Sequence, residues 1–201
     1  MNIAVLASGR GSNFAAIARA RKRGVIKANL ALVLTDNPEA GVIKKAQAAR
    51  VKVVVVKRED FSSKEAFEEA IISSLKLNKI DLIVLAGFMR MLSPMFVRTF
   101  RNKILNIHPA LLPAFKGSHA IKDAFIYGAK ATGVTVHFVD EKMDHGPIIL
   151  QQPVPVEGRD TLATLEEKIH KAEHKLYPEA IKLYVSGRIR LKGRRVLVST
   201  R

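Results

Sequence analysis

Two segments carry side chains whose types and spacing suit acid–base chemistry: "NIHPALLP" (Asn106–Pro113) and "DEKMDHGP" (Asp140–Pro147). In extended chain, residues two apart point the same way, so Asn106 and His108 share one face. Pro109 biases His108 away from helix and preserves that arrangement. The second segment supplies Asp144, set in a loop between two strand-like stretches, with Gly146 permitting a sharp bend. An imidazolium beside a developing oxyanion stabilises it and donates a proton. An Asn amide offers a neutral donor to the same oxygen, and a nearby carboxylate favours the charged imidazole. Together the three suit acyl transfer without a covalent intermediate. Spacing alone leaves plainer roles open: Asn106 and Asp144 as turn caps, His108 as a satisfied loop residue. The Leu112–Pro113 bond sits where an unusual turn, cis included, is conceivable.

The elements that must hold these groups follow from hydrophobic periodicity. "NIAVLAS", "ANLALVLTDN", "VKVVVV" and "IDLIVLAG" read as buried strands. Helices alternate with them: Ser12 to about Arg23, "PEAGVIKKAQAAR" and "SKEAFEEAIISSLKL". Such alternation implies a parallel sheet with helical crossovers. After about residue 100 the pattern changes. "KILNI" is a short strand, and Asn106 and His108 are expected just past its end, where open α/β sheets hold ligands. A helix near His119–Tyr127 follows, then "TGVTVHFVD" and "PIILQQPVPV" as antiparallel partners, a long helix Thr161–Tyr177, and a basic hairpin-like tail. The expected fold is α/β: one domain over residues 1–201, with a Rossmann-like parallel half (1–100), a partly antiparallel half (101–184) and the tail (185–201).

The loop "SGRGSN" (Ser8–Asn13) joins the first strand to the first helix. Gly9-x-Gly11 resembles the start of a dinucleotide fingerprint, but Phe14 occupies the third glycine position. Asp36, the acid at the end of the second strand, sits in a turn before Pro38, and no Gly-Lys-Ser/Thr ending is present in the loop. The loop therefore reads as a phosphate-monoester site, with Ser12 and Asn13 adding hydrogen bonds or capping the helix, or else as a mere capped turn.

Composition narrows the classes. The 201 residues contain no cysteine, which excludes disulfides, thiolate metal sites and cysteine nucleophiles and suits a cytoplasmic location. The N-terminal apolar run is too short for a signal peptide, and no stretch is long enough to span a membrane. His119, His137 and His145 lack metal-ligand spacing, so no metal is expected. His137, in mid-strand, is expected to be structural, while the role of His119 is open. The net charge of +16 is the outlier. Seven basic residues and no acid follow Glu179 (Lys182, Arg188, Arg190, Lys192, Arg194, Arg195 and Arg201), without the aromatic interleaving of a base-stacking surface. Nucleic-acid binding is not the expected use.

"ASGRGSN", "VLAGFMRMLSP", "LNIHPALLPAFKG" and "GVTVHFVDEKMDHGPIILQQPVPV" together resemble the phosphoribosylglycinamide formyltransferase family, in order from Met1 to about Tyr184. The resemblance implies formyl transfer from 10-formyltetrahydrofolate to the amine of phosphoribosylglycinamide in purine synthesis. It implies that Gly11, Ser12 and Asn13 hold the ribose phosphate, and that His170, Lys171, Ala172 and Glu173 contact the nucleotide, with Glu173 on the ribose. It also implies a folate pocket lined by Met89, Arg90, Met91 and Leu92 and by Asp140, Glu141, Lys142, Met143 and Asp144. Asn106, which also borders the folate, His108 and Asp144 match the catalytic trio. Lys64 stands at a folate-contact position where the family often has Arg, keeping the charge without the bidentate fork. A homodimer is left open. Methionyl-tRNA formyltransferase and formyltetrahydrofolate hydrolase are the alternatives within this chemistry; a non-enzymatic nucleotide- or RNA-binding protein is the alternative outside it.

Overall fold

A computed structural model describes residues Met1–Ser199; Thr200 and Arg201 of the expected basic tail lie outside the described residues. The chain forms two compact units, divided between Leu105 and Asn106. The architecture is mixed α/β, parallel in the first unit and antiparallel in the second.

The first unit contains β1 (Asn2–Leu6), α1 (Ser12–Lys22), β2 (Asn29–Thr35), α2 (Val42–Ala48), β3 (Lys52–Val55), α3 (Lys64–Leu77), β4 (Leu82–Leu85) and α4 (Pro94–Thr99). Its strands run parallel in the order β3-β2-β1-β4. "NIAVL" of β1 and "LIVL" of β4 are apolar on both faces, and Ile3 to Leu6 and Leu82 to Val84 are fully buried. α3 starts where the Ser63 hydroxyl accepts from Ala66 N at 3.0 Å, and it buries Phe67, Ile71 and Leu75 at four-residue spacing. α4 was not foreseen. Its start signal, Ser93 capping Phe96 N with Pro94 at the first helical position, is present in the sequence. Six residues are too few for an amphipathic period to show.

β5 (Ile104–His108) carries the chain from the first unit into the second, which adds α5 (Ala120–Tyr127), β6 (Ala131–Phe138), β7 (Ile148–Pro155), α6 (Leu162–Val185), β8 (Ile189–Lys192) and β9 (Arg195–Val198). β6 and β7 pair antiparallel, as do β8 and β9. α6 opens with Thr161 and Thr164 in a reciprocal cap and packs on β6 and β7. It runs through Pro178 to Val185, past the end that proline suggests. An interior proline costs about 3 kcal/mol. Burying Leu165, Ile169, Tyr177, Ile181 and Leu183 on one stripe, at about 1.5–3 kcal/mol each, outweighs it.

Candidate active site

Asn106 and His108 lie within β5, which reaches one residue further than its apolar pattern suggests, and they project to one face. The loop that follows is tied down by Thr135 of β6. The Thr135 hydroxyl donates to Ala110 O at 2.7 Å and accepts from Leu112 N at 3.1 Å and from Gln151 Nε2 at 2.9 Å. Gln151 Nε2 also donates to Leu112 O at 2.9 Å. The carbonyl of buried Ala110 and both backbone groups of buried Leu112 are thus paired inside the protein. The Leu112–Pro113 bond is cis.

Asp144 arrives from the loop between β6 and β7. Its Oδ2 accepts from Gly117 N at 2.9 Å and lies 3.5 Å from His108 Nδ1. His108, 4 % exposed, donates from Nε2 to Phe115 O at 2.7 Å. Both ring nitrogens therefore face acceptor oxygens, an arrangement that the doubly protonated ring satisfies. Asp144 is held at φ +47°, a left-handed conformation that costs a non-glycine residue about 1–3 kcal/mol. Gly146 closes the loop's neck, since a Cβ there would collide with the Phe138 carbonyl.

His137 joins the group. Its Nδ1 donates to Phe138 O at 2.7 Å, and Asn106 Nδ2 donates to its Nε2 at 3.2 Å. Asp144 Oδ1 is 3.8 Å from the same Nε2. Burial pushes the His137 imidazole below its ordinary pKa, outweighing the Phe138 carbonyl and the Asp144 and Asp140 charges that pull it up. A neutral ring with Nδ1 protonated leaves Nε2 as an acceptor, which fixes the direction of the Asn106 amide. The expectation of a structural His137 named no partner for it, and the contact with Asn106 supplies one. A mid-strand histidine looks like core in sequence, and only the pairing of strands shows what it faces.

In the rest of the β6–β7 loop, Asp140 accepts from Lys142 N at 3.0 Å and from His145 Nδ1 at 2.7 Å, while Glu141, Lys142 and Met143 are exposed. His170, Lys171, Ala172 and Glu173 form one turn of α6, with His170 Nδ1 donating to the buried Glu173 carboxylate at 3.0 Å.

In the first unit, the glycine loop brings Gly11 to the N-cap of α1 at φ +72°. Ser12 and Asn13 are helical residues, not the cap, and no side chain caps α1. A Cβ on Gly11 would come within 2.7 Å of the Val42 backbone. Met89, Arg90, Met91 and Leu92 line a cavity of about 310 Å³ together with Lys64. Met89 and Met91 are 71 % and 55 % exposed, adaptable apolar side chains left uncovered. Lys64 pairs with buried Glu68 at 3.8 Å, and Glu68 in turn accepts from Ser93 N at 2.8 Å and from the Ser93 hydroxyl. Arg90 Nε donates to the buried Asp36 carboxylate at 2.7 Å, so Asp36 is committed to an ion pair.

Residues 1–181 match the family model described as formyl transferase. This chain belongs to the formyl transferase family. Within the family it is 47% identical over 179 residues to a phosphoribosylglycinamide formyltransferase from Bacillus subtilis (strain 168), covering 89% of this chain and 92% of that protein. It is 42% identical over 189 residues to the trifunctional purine biosynthetic protein adenosine-3 of Bos taurus, covering 94% of this chain but only 19% of that longer protein. A glycinamide ribonucleotide transformylase from Symbiobacterium toebii superimposes with a TM-score of 0.96 at 41% identity, over 98% of this chain and 93% of that one. These similarities do not favour the tRNA-dependent, hydrolytic or non-enzymatic alternatives. Among the described residues of this formyl transferase no helix is long and apolar enough to cross a membrane.

Proposed function

We propose that this formyl transferase moves the formyl group of 10-formyltetrahydrofolate to the primary amine of 5'-phosphoribosylglycinamide, a step of purine biosynthesis. The observation that carries the mechanism is the Asp144 carboxylate 3.5 Å from His108 Nδ1, with Asn106 on the same strand face as His108.

The amine lone pair attacks the formyl carbon, and the carbonyl π pair moves onto oxygen. Asn106 Nδ2 and an N–H of His108 donate to that oxyanion. The His108 Nε2–H now bonded to Phe115 O is the donor assigned to this task, so the Phe115 contact is exchanged for the oxyanion. Collapse re-forms the carbonyl and breaks the bond to the folate nitrogen. The proton lost by the amine goes to that nitrogen, with Asp144 as the relay and as the support of the His108 charge. His137 keeps the Asn106 amide turned the right way.

Binding roles are assigned to each unit by its own features. Gly11, Ser12 and Asn13 take the ribose phosphate, since α1 offers an uncapped, positively polarised end. His170 to Glu173 take the ribose. Met89, Arg90, Met91 and Leu92 take the folate, as do Asp140 to Asp144, with Lys64 at its charged end. Tetrahydrofolate release tests the proposal. Release that requires phosphoribosylglycinamide supports it; release without any acceptor supports a hydrolase, and release only with aminoacyl-tRNA supports the tRNA enzyme. No release from folded protein under any of these conditions overturns the enzymatic reading.

A further inference from the structure

The basic hairpin β8–β9 lies beyond residue 181, where the family match ends, and none of the roles assigned above uses it. It is a braced arm. Arg188 Nε donates to Ser199 O at 2.7 Å, Ser199 N donates to Arg188 O at 2.9 Å, and β9 packs on β7. Its tip, turning at Gly193 with φ +60°, presents Arg194 to the β6–β7 loop. Arg194 Nη2 donates to His145 O at 2.5 Å, and Nη1 lies 3.2 Å from each nitrogen of the His145 ring. Equal distances to both nitrogens set the guanidinium against the imidazole instead of on one lone pair. The same ring donates from Nδ1 to Asp140, so one arginine closes a chain of contacts from the tail to the start of the loop.

Asp144 immediately precedes His145 and sits at φ +47°. A non-glycine residue stays in that region only where neighbouring peptides are held. The Gly146 neck holds one side through the Phe138 backbone, and Arg194 holds the His145 carbonyl. We infer that Arg194 is a positioning residue: it fixes the His145 peptide and so keeps the Asp144 carboxylate aimed at His108 and Gly117. The inference rests on the proposed catalytic role of Asp144.

The test uses the full chain with Arg194→Ala, Arg194→Lys and, as a control on the same hairpin, Arg190→Ala at an exposed position of β8. Measurements are kcat, the KM of each substrate, the melting temperature and the amide resonance of Gly117, whose proton is bonded to Asp144. Arg194→Ala is expected to lower kcat about tenfold, leave KM for the ribonucleotide unchanged and move the Gly117 resonance. Arg194→Lys is expected to recover part of kcat, because an ammonium reaches the carbonyl but cannot lie flat on the ring. Arg190→Ala is expected to match wild type. Wild-type kcat and an unmoved Gly117 resonance in Arg194→Ala would overturn the inference, as would a kcat loss matched by the unfolded fraction. If Arg194→Ala does not fold, Arg194→Lys is read by the same criteria. Wild-type protein without formyl transfer would fail the proposed function, while the Gly117 resonance would still report on the brace.

Discussion

Replacing Gly146 by Ala puts the geometry of the catalytic loop under direct strain. The added Cβ would overlap the Phe138 carbonyl oxygen and lie 2.8 Å from its carbonyl carbon and 3.2 Å from Asp140 N. All three obstacles are backbone, so no side chain can swing aside and the neck of the loop must open by about 1.5 Å or more to restore ordinary contact. Overpacking of this kind costs about 1–3 kcal/mol. For a chain of this size, a midpoint of about 2 kcal/mol lowers the melting temperature by about 4–8 °C. The loss of activity is expected to be larger than the loss of stability, because Asp144 stands two residues from the obstructed position. A displacement of about 1 Å at a reacting group lowers rates about a hundredfold. Thermal melting by circular dichroism and initial rates well below the melting transition measure the two effects separately. Gly158→Ala is the control, since a Cβ there meets nothing within 4 Å. Wild-type kcat in Gly146→Ala, or an equal loss in Gly158→Ala, would refute the claim that the tight neck sets the position of Asp144.

Further substitutions test the remaining parts. Asp144→Asn keeps an oxygen for Gly117 N, so melting should change little while kcat falls by about 10²–10³; equal turnover would remove the assigned role. Gly11→Ala forces a side chain into a left-handed cap and against Val42, and should raise KM for the ribonucleotide about tenfold with a smaller change in KM for the folate. A uniform rise in both would show general unfolding instead of damage to a phosphate loop. His137 is held neutral by burial, so the unfolded chain takes up its proton first as pH falls below about 6.5. Stability from this group is therefore complete above that pH and declines below it. Urea titrations across that range should show a steeper acid-side loss for wild type than for His137→Gln, and identical slopes would contradict the burial argument.

The sequence made some of this legible and hid the rest for physical reasons. Continuous apolar runs such as "LIVL" identify central parallel strands, and alternation identifies β6 and β7. Asn106 and His108 are two apart in extended chain, so their common face follows from geometry alone. Their meeting with Asp144 comes from the β5–β6–β7 region of the second unit, which no local pattern encodes. His137 was hidden for the same reason. Its apolar strand neighbours describe burial, but its partner Asn106 is 31 residues away. Pro178 misled because the proline rule is local, whereas the stripe that keeps α6 intact gains its energy from packing. Lys64 shows the converse: its charge is visible in sequence, but its partner Glu68 is explained only by Ser93, which Glu68 anchors.

The destination of the transferred carbon is the most direct measurement. With 10-formyltetrahydrofolate carrying a heavy formyl carbon and phosphoribosylglycinamide as acceptor, mass spectrometry of all products should find the label as a formamide on the ribonucleotide, none on the protein and none in excess formate. Asp144→Asn should slow the appearance of that product without redirecting the label. Label accumulating in formate, or attached covalently to the chain, would contradict direct transfer assisted by Asn106, His108 and Asp144.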